Sequence, residues 1–155
     1  MRRYSILLSL AMLAACAGVQ DRPGHALPPG HEAMRQAASA LLDGIRLYDN
    51  GNFKGAIDVL DGPELQAAPD AMRVEALKYT AFSYCVLEDY ARCRHAFGLA
   101  LELDPDFVLR TSERGHPMWS PVFDAAKAAS EQHRAQASTD RERERWRGID
   151  LWRAR

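Results

Sequence analysis

The feature that most constrains this chain of 155 residues is an internal repeat with an offset of 37 residues. Shifting the sequence by that interval places residues 53–56 opposite residues 90–93, and Gly44 opposite Ala81. A unit of this length cannot bury its apolar face alone, so neighbouring units must stack on one another. The apolar residues within each unit recur at helical spacing, and no segment alternates as a strand would. The sequence therefore predicts an all-α fold built from about two helical hairpins.

Turn residues set the limits of the predicted helices. Asn50-Gly51-Asn52 separates the first two helices, and Asp61-Gly62-Pro63 ends the second. Asp104-Pro105 ends the fourth, because the residue before a proline disfavours helical geometry. The predicted helices cover residues 31–48, 53–60, 70–87 and 90–103.

The second hairpin is similar to the tetratricopeptide pattern, in which small residues let paired helices approach and large rings fill the space between hairpins. The matching positions are Ala81, Tyr84, Tyr90, Cys93, Phe97, Ala100 and Pro105. The first hairpin matches less fully, at Gly44, Gly51, Phe53 and Ala56. Repeat position then predicts a short partner-binding groove, lined by Leu41, Ile45, Tyr48, Lys78 and Phe82.

Two hairpins leave apolar faces open, so a further helix must cover them. We expect that C-terminal capping helix to begin at Ser120, which can act as an N-cap, with Pro121 at the first helical position. Val122, Phe123 and Ala126 then form an apolar stripe along one side. Residues 31–130 are thus predicted to form one helical-repeat domain.

Residues 131–155 are charged nearly all round, which is typical of a solvated helix or a frayed tail. Trp146, Ile149 and Trp152 are the exception, because their spacing places them on one side of a helix. Exposed tryptophans favour contact with a partner, so Trp146 and Trp152 are candidate binding residues. Packing of these side chains back onto the body is the alternative.

The N-terminal segment predicts export and lipidation. Arg2 and Arg3 precede a short apolar run that ends in Leu13-Ala14-Ala15-Cys16, which resembles a bacterial lipobox. Residues 1–15 would be the signal peptide, and residues 16–30 a lipidated Cys16 followed by a flexible tether rich in proline and glycine. By analogy with lipoprotein sorting, Ala17 points to the periplasmic face of the outer membrane. An ordinary secreted protein with Cys16 at its cleavage site is the alternative.

The two remaining cysteines, Cys85 and Cys93, lie in a compartment that permits disulfides if the chain is exported. Their repeat positions fall in the two helices of one hairpin, so we predict that they are bridged. Burial as two small core residues is the alternative.

Charge and motifs narrow the function. The chain has 20 basic and 21 acidic residues, which gives no electrostatic case for nucleic acid. It lacks the sequence motifs of a nucleophile elbow, a phosphate loop or a metal site, so the sequence predicts neither an enzyme nor a metal or cofactor. His116, Pro117 and Trp119 are predicted to organise a loop, with a functional contact of His116 as the alternative. Glu113 and His116 are the only polar pair that an enzyme acting on peptidoglycan would use.

Four stretches together resemble one family, the TssQ-type lipoproteins associated with type VI secretion. They are residues 76–85, 93–97, 103–107 and 113–123. The likeness covers about residues 38–128 together with the lipobox. It implies an accessory outer-membrane lipoprotein whose partner is a protein of the secretion apparatus, with the covalent lipid on Cys16 and no catalytic residues. A pilotin or assembly lipoprotein of another envelope complex is the alternative.

Overall fold

The structure is a computed structural model that describes residues 30–153, with side chains described through residue 147. Within that span all regular secondary structure is helical, which confirms the predicted all-α class. The helices are α1 (His31–Asp49), α2 (Phe53–Leu60), α3 (Pro63–Gln66), α4 (Asp70–Val86), α5 (Tyr90–Leu103) and α6 (Ser120–Arg153). The predicted signal peptide, Cys16 and the tether through residue 29 lie outside the described residues, as does the side chain of Trp152.

Two helical hairpins form the body: α1 packs against α2, and α4 packs against α5. Their turns are built alike at an offset of 37 residues. Gly51, with φ of 76°, and Glu88, with φ of 61°, each take the left-handed conformation that ends the first helix of the hairpin. Asn52 and Asp89 then cap the next helix, each accepting a hydrogen bond of 3.1 Å from the backbone N–H three residues later.

The core consists of two clusters that meet at α4. The larger lies between α4, α5 and α6 and contains most of the buried rings, namely Phe82, Phe97, Phe107, Trp119 and Phe123. The smaller lies between α1, α2, α3 and α4 and is formed by Ala37, Ala56, Leu60, Leu65 and Ala76. Tyr48 and Tyr79 pack against both clusters and so connect the hairpins. Burial of each large apolar side chain contributes about 1.5–3 kcal/mol.

The chain departs from the predicted pattern after α2. Gly62-Pro63 was expected only to stop a helix, but Pro63 also opens the short helix α3 because proline suits the first helical position. Leu65 of α3 is buried against α1 and α4, with 2% of its surface exposed. The first hairpin is therefore followed by an extra turn of helix that a repeat pattern alone does not predict.

The start of α6 also differs from expectation. The Ser120 hydroxyl is buried and makes no hydrogen bond, so it does not cap the helix. The preceding turn supplies acceptors instead: the N–H of Ser120 donates to the carbonyl of His116 at 3.0 Å, and that of Phe123 donates to Trp119 at 2.8 Å.

α6 continues past residue 131 without a break, so the predicted boundary there is a change in burial rather than in secondary structure. Every residue from 131 to 147 is exposed. Among residues 30–153, no helix combines the length and the apolar character needed to cross a membrane.

Candidate functional site

The groove predicted from repeat position is closed by the chain itself. Lys78 and Phe82, expected to line an open surface, are only 1% and 2% exposed. The segment between α5 and α6, residues 104–119, covers them, and its own Leu109 is 1% exposed. Lys78 and Phe82 are therefore buried beneath this segment and do not line the open groove that repeat position predicted.

An ion-pair network anchors this covering segment. The Lys78 Nζ donates to Glu113 at 2.7 Å and to Glu75 at 2.9 Å. The other Glu113 oxygen accepts a hydrogen bond of 2.9 Å from the backbone N–H of Arg110, whose guanidinium reaches Glu75 at 2.6 Å. A buried ammonium group requires such partners, because transferring an unpaired charge out of water is very costly.

Trp119 fixes the other end of the segment. Its ring packs on Phe82 with 4.4 Å between centroids, and its Nε1 donates to the Glu113 carbonyl at 2.9 Å. The His116 ring stacks on Trp119 at 3.4 Å between centroids, and Pro117 is exposed beside it. His116 and Trp119 thus stack on each other at the end of the covering segment. Both carboxylate oxygens of Glu113 accept hydrogen bonds, one from Lys78 and one from the backbone of Arg110.

The remaining predicted binding residues are not gathered into one surface. Leu41, Ile45 and Tyr48 are half-buried on α1. Tyr48 packs edge-on against Tyr79. Burial, followed by the influence of Tyr79 and then of Asp49 and Glu113, raises the pKa of Tyr48 to about 12. Trp146 lies far along α6 and is 64% exposed.

An open groove lies on the opposite side of α4. Helical spacing directs Leu77, Thr80 and Tyr84 to one side of α4, and Lys78 and Phe82 to the other. The groove has a volume of about 580 Å³, with α4 as its floor, α2 and α3 as one wall and α5 as the other. Its apolar lining residues are Leu60, Leu65, Ala76, Leu77, Ala96, Leu99 and Leu103. It therefore spans both hairpins.

A buried hydroxyl lies beneath the floor of the groove. Thr80 is 3% exposed, and its Oγ1 makes no well-formed hydrogen bond within the described part of the chain, although it lies close to the Asp61 carboxylate. Burial raises the pKa of Asp61, on the neighbouring wall, and the carboxylate of Asp58 raises it further. The nearby Thr80 hydroxyl has the weakest influence and lowers that pKa. The Thr80 hydroxyl is enclosed by the fold, so it lies beneath the surface of the groove.

Some of the charged residues at the rim of the groove form ion pairs and others do not. Arg73 and Arg92 are each paired within the fold, with Asp70 at 3.0 Å and Asp89 at 3.4 Å. Asp61 and Glu102 line the groove but take part in no ion pair among the described residues. The unneutralised charge at this rim is therefore acidic.

This arrangement suits the binding of a protein segment. The groove offers apolar walls together with a few polar groups that would orient an occupant. Within residues 30–153 no group of His, Cys, Asp and Glu side chains forms a metal-binding cluster. The groove is not evident from the sequence because the short helix α3 shows no periodic pattern. The spacing of Leu99 and Leu103 on α5 is the one sequence signal for it, since it marks an apolar stripe without an assigned partner.

Comparison of the chain with protein-family models, with curated proteins and with solved structures gives no match.

Proposed function

We propose that this protein is a lipid-anchored adaptor on the periplasmic face of the outer membrane, which uses tetratricopeptide-like hairpins to hold a protein partner. The observation that carries the proposal is the groove over α4, which joins apolar walls from both hairpins to a rim that carries the carboxylates of Asp61 and Glu102. Such a surface binds by shape and by a few directed hydrogen bonds. It suits recognition of a polypeptide segment.

The lipobox ending at Cys16 and the tether that follows it supply the second half of the proposal. Fourteen residues between Cys16 and α1 span up to about 45 Å when extended. A tether of that reach holds the folded body near the membrane and raises its effective concentration there. An adaptor with these parts localises its partner without chemical turnover.

The envelope complex that we propose as the setting is a type VI secretion system. The support is the resemblance of residues 76–85, 93–97, 103–107 and 113–123 to TssQ-type lipoproteins. Two of these stretches contact each other, because the covering segment before α6 packs on α4 through Trp119 and Glu113. The partner is then a component of the membrane complex of that apparatus.

The test uses a matched pair of leucine variants. Leu99→Asp puts a charge into the groove, where the leucine is half-buried, whereas Leu42→Asp changes a leucine that is 68% exposed on α1. Each variant is expressed in a deletion strain, and release of the tube protein is measured together with co-purification of the individual membrane-complex proteins. We expect Leu99→Asp to abolish both readouts and Leu42→Asp to preserve them.

Two controls complete the experiment. Cys16→Ser should leave folding intact and remove the protein from the membrane fraction, which intact mass and fractionation would show. Normal secretion and normal co-purification with a folded Leu99→Asp variant would contradict the proposed groove. An envelope substrate turned over by the purified wild type, and not by His116→Ala, would replace the adaptor with the enzyme alternative.

A further inference from the structure

We infer that the groove over α4 also takes the C-terminal end of α6 from a second copy of this chain. The inference rests on the groove of the proposed function and names one occupant for it. Both surfaces belong to this protein, so their chemistry can be compared directly.

An occupant that complements the groove is apolar and basic. Its walls are leucine-rich, and its rim carries the carboxylates of Asp61 and Glu102 without an ionic partner among the described residues. An arginine side chain presents five N–H donors in a planar fork that matches a carboxylate, so it can pair with the carboxylates of this rim.

The end of α6 has this composition. Residues 145–155 contain four arginines and one aspartate, together with Trp146, Ile149 and Trp152 at intervals of three residues. Trp146 is 64% exposed, although tryptophan is among the residues that contribute most when they are buried at an interface. The described member of this stripe, Trp146, is thus exposed between Arg145 and Arg147.

The chain cannot fill its own groove with this segment. α6 is one helix from Ser120 to Arg153, and from residue 131 to residue 147 every side chain is exposed. At 1.5 Å per residue, the helix beyond residue 131 carries its end roughly 30 Å away from the body. The groove is lined by residues of α2 to α5 and the turn after α2, and by none of α6. A helix end that enters this groove therefore belongs to a second copy, and a reciprocal exchange of two helices closes into a symmetric dimer.

A complementation experiment tests this exchange. Full-length chains are purified from the envelope in mild detergent with two distinguishable fluorescent labels, and their association is measured by energy transfer. The helix variant carries Trp146→Ala and Trp152→Ala, and the groove variant carries Leu99→Asp. Each variant alone should associate at least about tenfold more weakly than the wild type. A mixture of the two should recover association, because one intact helix can still enter one intact groove.

Three controls keep the result interpretable. Leu42→Asp should associate like the wild type, because it lies outside both surfaces. Glu102→Arg replaces a rim carboxylate with a cation that repels the arginines of α6, so it should weaken association. This variant keeps the test valid if Leu99→Asp fails to fold, which melting curves would show. A wild type that shows no energy transfer, or variants that associate as tightly as the wild type, would overturn the inference.

This outcome is separable from failure of the proposed function. A monomeric wild type that still binds a membrane-complex protein through the groove rules out only the dimer. A dimer that forms while secretion and partner binding are unaffected by Leu99→Asp rules out only the adaptor.

Discussion

The two hairpins share a turn but differ in how they are held closed. In α1–α2 the helices approach through Gly44, where an added Cβ would lie 2.4 Å from Leu60. In α4–α5 the structure joins Cys85 to Cys93 by a disulfide, with 5.2 Å between their Cα atoms. The same local pattern therefore produces both hairpins, while the means of closing them differs.

The surroundings of the hairpins differ even more. The inner side of α4 is covered by residues 104–119 and α6, which bury Lys78 and Phe82. Within residues 30–147 no segment covers the outer side of α1 in this way, and Leu42 there is 68% exposed. This comparison shows that position in a repeat determines the backbone, whereas the segment that follows the repeat determines which face remains open.

Weakening the packing of the covering segment on α4 should have the largest effect on stability. Trp119→Ala leaves a cavity against Phe82 and loses the hydrogen bond to Glu113, so we expect the free energy of unfolding to fall by about 4 kcal/mol. Val108→Ala is the matched control in the same segment, because Val108 is 58% exposed, and it should change stability by less than about 0.5 kcal/mol. Chemical denaturation measures both variants. Equal stability of the two would show that the segment is not part of the core.

The ion pairs of the two hairpins should differ in energy. Lys78→Met leaves the carboxylates of Glu75 and Glu113 without their ammonium partner, and we expect a loss of about 3 kcal/mol. Arg46→Met on α1 breaks an exposed pair with Asp43 and should cost less than about 1 kcal/mol. Urea titrations of both variants give the comparison. A loss below about 1 kcal/mol for Lys78→Met would mean that the network is no stronger than a surface pair.

The limits of the helices could be predicted from the sequence, whereas the burial of Lys78 could not. Helix limits depend on local turn residues, so Asn50-Gly51-Asn52 and Asp104-Pro105 were enough to predict closely where α1 ends, where α2 begins and where α5 ends. The burial of Lys78 depends on Glu113, which is 35 residues away and lies in a segment without helical periodicity. No local pattern marks such a contact.

The open groove was unpredictable for a related reason. Its walls come from α2, α3 and α5, and the four-residue helix α3 is too short to show a periodic pattern. The repeat pattern therefore predicted a binding protein, whereas the groove itself depends on how the helices pack.

Reduction should affect only the second hairpin. The bridge between Cys85 and Cys93 closes a loop of eight residues, and the chain-entropy model gives about 2.5 kcal/mol for a loop of that length. For a domain of this size we expect the melting temperature to fall by about 5–10 °C when a reductant is added. Cys85→Ala with Cys93→Ala should melt at one temperature with or without reductant. Alkylation of both thiols in the denatured, unreduced wild type would show that the bridge is absent.

The smallest effects should come from a pair of glycines that distinguish the hairpins. Gly44→Ala forces a methyl group into Leu60, an overpacking cost of about 1–3 kcal/mol, which the better helix propensity of alanine offsets by about 1 kcal/mol. We therefore expect a net loss of about 1 kcal/mol. Gly98→Ala on α5 meets no atom within 4 Å, so only the propensity gain applies, and stability should rise by about 1 kcal/mol. Thermal melts of the two variants should move in opposite directions; a rise for Gly44→Ala would mean that α1 and α2 can separate at little cost, and that the first hairpin is the looser of the two.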